Sequence, residues 1–198
     1  MGPVIRSEVL GLADYEAIRP HFRARVIDEK KRRRVMVGPS ASVVFENHDT
    51  VLLQIQEMLR TERITKESAV QHEIDTYNAL LPRGRELSAT LMFEIADKPE
   101  REDFLVRAAG VQRQMWLTVG SERCPVVWEK DREFEGRTTA VHYLKIPLTE
   151  KAAADLRAAA RGEPIEVSFD VDHDAYRHKA TLSRQLVASL AEELEEGS

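Results

Sequence analysis

Residues 86–95 read ELSATLMFEI, and in them Leu87, Ala89, Leu91, Phe93 and Ile95 alternate with polar or intermediate side chains. Successive side chains of extended backbone point to opposite faces, so a period of two marks a half-buried strand. The sequence on the C-terminal side continues in the same manner. After a helical insertion over Pro99 to Ala109, the segments Gln114 to Val119 and Glu122 to Glu129 flank Gly120-Ser121, a pair suited to a two-residue hairpin turn with glycine first. Pairing Val119 with Glu122 sets Leu117 opposite Cys124 and Met115 opposite Val126, apolar against apolar. Thr138 to Ile146 is apolar on both faces over much of its length and reads as a central strand. Thr149 caps an alanine-rich helix that ends at Gly162, Ile165 to Val171 alternates again, and an amphipathic helix spans Thr181 to Glu195.

On the N-terminal side the period changes to that of a helix. Tyr15, Ile18, Phe22 and Val26 recur at helical spacing, with Pro20 inside the pattern. Because proline removes a backbone donor, a short turn and then a helix from about Pro20 are expected. Val35 to Val37 and Ser42 to Phe45 are short extended pieces around Gly38-Pro39. Asn47 can cap a helix striped by Val51, Leu52, Ile55, Met58 and Leu59, and a third helix runs from Lys66 to Leu81, closed by Pro82. The class is therefore α+β: a helical N-terminal half packed on a mainly antiparallel sheet of about five strands. Residues 1–198 form a single domain in this reading, with a helical subdomain over 1–82 and a sheet-containing part over 83–198.

Composition narrows the function classes. The 198 residues include 32% charged and 42% hydrophobic side chains, enough for a globular core without staples. A formal net charge of -5 argues against nucleic acid as a partner. Cys124 is the only cysteine, which excludes an internal disulfide and any all-cysteine metal site, and a reducing cytoplasmic setting is expected. No signal-peptide pattern and no run of 18 apolar residues is found, so no membrane partner is expected. Phosphate-binding glycine loops and nucleophile-elbow motifs are absent from the sequence.

Several candidate sites remain. Glu73 falls in the core-facing sector of the third helix, between Val70 and Tyr77, where a carboxylate must be paired, hydrogen-bonded or metal-bound. Glu46, Asn47, Asp49, Gln54 and Glu57 lie on and beside the start of the preceding helix. Should that edge face Glu73, then Glu57 and Glu73 could hold a divalent cation such as iron or manganese. For Asn47 and Asp49, helix capping and first-turn acid placement take precedence. Asp170, Asp172, His173 and His178 form a second cluster whose spacing matches no metal motif. His142 reads as a hydrogen-bonded core histidine. The basic run Lys30 to Arg34 reads as the solvated end of a helix.

Four runs taken together, FENHDT at 45–50, QIQEMLR at 54–60, EIDTYNALLP at 73–82 and ELSATL at 86–91, resemble an uncharacterised bacterial family of about 200 residues, known as a domain of unknown function. The resemblance implies a context: such genes often stand beside those for rubrerythrin and an iron–sulfur oxidoreductase. An accessory or interaction protein in a redox or oxidative-stress system is the function it implies, acting through the helical half. A metal-dependent enzyme using carboxylates of that half is the alternative. The chain has no Glu-x-x-His pair, so the implied neighbours do not imply a di-iron site here.

Overall fold

Strand β3 (Glu86–Phe93) is the third of five in a sheet ordered β1-β2-β3-β7-β6. In this computed structural model, which describes residues 2–128 and 136–194, its neighbours are β2 (Ala41–Phe45) and β7 (Val141–Pro147), both antiparallel. Leu87, Ala89, Leu91 and Phe93 share one buried face, in line with Val43 and Phe45 on one side and Leu144 and Ile146 on the other, but the strand is not half-buried as the alternation implied, because Ser88 and Thr90 on its other face are buried too. The outermost strands are β1 (Arg34–Met36) and β6 (Val127–Trp128). A second antiparallel sheet, ordered β5-β4-β8-β9, consists of β4 (Met115–Val119), β5 (Glu122–Pro125), β8 (Val167–His173) and β9 (Tyr176–Thr181).

The inner faces of the two sheets share one core, in which Phe45, Leu87 and Leu91 join Leu117, Val119 and Phe169. Helices α4 (Lys98–Arg107), α5 (Glu150–Ala160) and α6 (Arg184–Glu193) add Phe104, Leu156 and Leu190 to it. Each such side chain contributes about 1.5–3 kcal/mol by leaving water. The other face of the first sheet meets α2 (His48–Thr61) and α3 (Glu67–Asn78), whose Val51, Ile55, Leu59, Val70 and Ile74 form a second cluster against Tyr143. The α+β class read from the sequence is the one observed. Among the described residues no helix is long and apolar enough to cross a membrane.

Four further local readings are revised. The run from Glu122 does not continue as one strand: Glu122–Pro125 pairs with β4, and Val127–Trp128 pairs with β7 in the other sheet. The change of sheet comes at Pro125, which has no ladder donor, while the next amide, Val126 N, still donates to Met115 O at 3.2 Å. Glu129, the expected end of that run, lies outside the described residues. Strand β7 is interior but alternates, with His142, Leu144 and Ile146 buried and Val141 exposed, instead of being apolar on both faces. Helix α1 (Leu12–Arg32) passes through Pro20 without a preceding turn. Pro20 is exposed, so the unmade bond faces water, and the turns before it are fastened to α2 by Tyr15 and Arg19. Finally, Thr181 belongs to β9, and α6 begins after Ser183, whose hydroxyl accepts from Leu186 N. Glu195, the expected end of that helix, is not among the described residues.

Candidate functional site

The basic run at the end of α1 is divided by geometry. Arg33 is the C-cap, with φ -96° and ψ 2°, and the bend that starts β1 turns its side chain inward until it is 1% exposed. Its guanidinium is almost saturated: Nε donates to Phe45 O at 2.8 Å, one terminal nitrogen to Ser189 Oγ at 2.6 Å, and the other to Glu46 O at 3.3 Å and Glu193 Oε1 at 2.5 Å. Ser189 and Glu193 are four residues apart on α6 and so share a face. The planar fork of arginine suits such a constellation, in which two strand-end carbonyls and one helix face are held together.

Glu193 is the unusual member. Its side chain is 15% exposed, and its second oxygen, Oε2, is buried with no hydrogen-bond partner among the described residues. Burial pushes this carboxyl up to about 7, against the opposing attraction of Arg33. A carboxyl that changes charge near neutrality in a recess is a functional-site signature.

The pair borders a cavity of about 600 Å³, within the usual range for small-ligand sites. The start of α2 supplies Asn47, His48 and Asp49, and the segment after α3 supplies Leu81 to Gly84. Most of these groups are committed. Asn47 Oδ1 accepts from Thr50 N at 3.0 Å and its Nδ2 donates to Glu29 Oε1 at 3.3 Å. Asp49 takes both terminal nitrogens of Arg25, at 2.5 and 3.2 Å. His48 Nε2 lies 3.2 Å from a Glu8 oxygen. Asn78 clamps the N-terminal segment by accepting from Val4 N and donating to Val4 O, both at 2.9 Å. Gly2 and Pro3, at the start of that segment, form part of the wall.

The residues expected from the sequence fall in four places. Asn47 and Asp49 line the cavity, Asn47 capping α2 as anticipated. Glu46 lies just behind it, 3% exposed, its carboxylate accepting from Thr50 Oγ1 and Thr90 Oγ1 at 2.5 Å each. That arrangement fastens the start of α2 to β3. Gln54 and Glu57 line a separate, shallower groove between α1 and α2, which Tyr77 also borders. Glu57 accepts from Arg19 Nε at 2.7 Å and Tyr15 Oη at 2.6 Å, and its other oxygen accepts from Arg19 at 2.9 Å. The Arg19 bond, assisted by Tyr15, holds its carboxyl down to about 2 despite partial burial. Glu73 is half-buried and borders neither recess. Among the described residues, no three His, Cys, Asp or Glu side chains come together in a form that could hold a metal ion.

The β8–β9 cluster is divided by strand alternation. Asp170 accepts from Thr118 Oγ1 at 2.7 Å, and Asp172 pairs with Arg177 at 2.8 Å. The opposite face carries His178, its ring tilted against that of Tyr176 with centroids 4.5 Å apart, and His173, whose Nδ1 accepts from Ala175 N at 3.1 Å in the turn. His142 is a core histidine, 3.1 Å from Thr138 Oγ1 and held down to about 4 by burial. Cys124 is buried opposite Leu117, and burial pushes its thiol up.

Sequence reasoning missed Arg33, Ser189 and Glu193. For Glu193 a signal existed: it falls three residues after Leu190 and one before Leu194, on the apolar side of α6. Nothing within the run Lys30 to Arg34 singles out Arg33.

The family profile described as "Protein of unknown function (DUF3501)" matches residues 3–194. No curated protein matches. The chain is similar to a protein of unknown function from Burkholderia pseudomallei K96243, known from a crystal structure at 1.90 Å resolution. The two are 34% identical, with a TM-score of 0.89 over 98% of this chain and 100% of the other.

Proposed function

Since the chain belongs to the DUF3501 family, whose members are described only as proteins of unknown function, we propose a function from its own geometry: it binds a small polar ligand in the cavity between α1, α2, α6 and the N-terminal segment. One observation carries this reading, the largely buried Arg33–Glu193 ion pair at the wall of that cavity. A concave recess on which a few fixed polar groups converge is the usual form of a small-ligand site. Fixed side chains around the recess supply the preorganisation that ligand binding favours.

The resemblance supplies a setting: a cytoplasmic accessory protein that works beside rubrerythrin or an iron–sulfur oxidoreductase under oxidative stress. Its support is the resemblance, whereas the binding reading stands on side-chain geometry. A metal-dependent enzyme acting through Glu57 and Glu73 has less to stand on, because Arg19 and Tyr15 already occupy both oxygens of Glu57.

The test is a fragment library of cations, anions and neutral molecules screened by amide chemical shifts. Binders should move the amides of Asn47, Asn78 and Ser189. A screen without binders, or with binders that move only other regions, would overturn the proposal.

A further inference from the structure

Residues 4–10, VIRSEVL, run along α2 and α3, yet among the described residues no backbone–backbone hydrogen bond joins them to either helix. Side chains of the helices hold them instead. Asn78, the last residue of α3, accepts from Val4 N and donates to Val4 O, both at 2.9 Å. Gln56 of α2, 2% exposed, does the same at the other end, accepting from Leu10 N at 2.7 Å and donating to Leu10 O at 3.2 Å. A carboxamide carries a donor and an acceptor side by side, so each clamp reads the backbone of one residue and is indifferent to its side chain. Between the clamps Arg6 donates to the two oxygens of Glu67 at 2.6 and 3.0 Å, and Val4 and Val9 are buried in the cluster of Val51, Ile55, Val70 and Ile74.

Backbone clamps together with a few side-chain anchors are the means by which proteins recognise peptides. We infer that the α2–α3 groove is a docking site for a peptide segment of a partner protein, filled in cis by the chain's own residues 4–10. The contacts define the partner's chemistry: two aliphatic residues five apart, with an arginine between them for Glu67. Residues 4–10 end at Gly11, the extended N-cap of α1, so they can lift away while Tyr15 and Arg19 keep α1 fastened to α2. A tethered segment competes at an effective concentration on the order of millimolar. A second copy brings identical contacts without that advantage, which favours a different protein as the occupant. Asn78 and His48 also border the cavity, but the docking site needs no ligand there and stands apart from that reading.

The test uses the full chain carrying Val4→Asp and Val9→Asp, which removes both apolar anchors from the cis segment, and a fluorescein-labelled peptide of residues 2–10 titrated by anisotropy. Saturable binding to the variant is expected, weaker by about tenfold or more to the parent chain, whose own segment competes. Adding Gln56→Met to the variant should weaken it by a similar factor. Arg6→Glu in the peptide should weaken binding a few-fold, as suits an exposed pair, and Glu67→Arg in the protein should restore it. No binding to a variant that keeps the parent's circular dichroism and cooperative unfolding would overturn the inference, and so would binding indifferent to Gln56→Met and to the charge exchange. If the variant folds poorly, hydrogen exchange in the parent chain decides. The amides of Val4 and Leu10 should exchange together and about tenfold or more faster than that of Leu91 in β3; exchange at the rate of Leu91 would mean that the segment leaves only on global unfolding, and would overturn the inference. Concentration-dependent dimers of the parent chain that Val4→Asp and Val9→Asp dissolve would assign the groove to a second copy and overturn the choice of partner.

Discussion

Replacing Glu193 by glutamine should change how the stability of the protein depends on pH. The amide keeps the shape of the side chain and an oxygen for Arg33, and it removes the titrating proton. In the folded protein burial raises the carboxyl from an ordinary 4.5 to about 7. Between those values the folded state binds more protons than the unfolded state, so this group's contribution to stability is greatest below pH 4.5 and is lost as pH rises toward 7. At about 1.4 kcal/mol per pH unit, the displacement is worth at most about 3.5 kcal/mol. Because the side chain is 15% exposed, water reduces this, and about 2 kcal/mol is the expected effect. For a chain of this size it corresponds to about 4–8 °C in Tm. Among the described residues, the charges acting on Glu193 are Arg33, which favours its ionised form, and Glu29 across the α1 face, which opposes it. His142 acts in the opposite sense: held down to about 4, it costs stability as pH falls below 6.5. Its contribution is common to both proteins and cancels in the comparison. Urea denaturation followed by tryptophan fluorescence at pH 5, 6, 7 and 8 provides the measurement. Relative to Glu193→Gln, the parent protein should lose about 2 kcal/mol between pH 5 and 8. Parallel profiles would refute the claim that this carboxyl is forced toward neutrality by its burial.

Three further substitutions probe the framework. Arg33→Met strands Glu193 and the carbonyls of Phe45 and Glu46, and should cost about 3–5 kcal/mol by chemical denaturation; a loss below 1 kcal/mol would mean that water replaces the guanidinium freely. Glu57→Gln should cost about 1–3 kcal/mol at pH 7. With the native carboxyl held down to about 2, that advantage is present above 4.5 and disappears as pH falls toward 2, so the two proteins should converge in acid; metal content should be unchanged if the Arg19 and Tyr15 bonds are its whole role. Gly120→Val forces a branched residue to φ +56° with its Cβ 3.3 Å from Ile165, and should lower stability by about 1–3 kcal/mol; an unchanged denaturation midpoint would remove the hairpin argument.

What the sequence disclosed and what it concealed have the same physical origin. Strand β3, helix α2 and the β4–β5 hairpin were legible because their signals are local: the alternation of polarity, the stripe with its Asn47 cap and the Gly120 turn each leave a short-range pattern. Strand β9 was not, since as a sheet edge it exposes Arg177, His178 and Lys179 and buries little beyond Tyr176, so no alternation of polarity marks it. The division of the run around Pro125 between two sheets depends on partners distant in sequence. The candidate site shows the same limit more sharply. Asn47 and Asp49 could be found because helix starts have a chemical signature, and both do border the cavity. Arg33 sits within a run of like charges, Lys30 to Arg34, and Glu193 within an acidic segment, Glu192 to Glu196, broken only by Leu194; in both, composition predicts solvation. What distinguishes them is which side chain the backbone turns inward. The C-cap bend aims Arg33 at the strand ends, and the phase of α6 brings Glu193 under it from 160 positions away along the chain. A largely buried charge pair of this kind is built by two elements that each look solvated alone, and the carboxylate oxygen it seals in without a partner among the described residues is a property of their meeting.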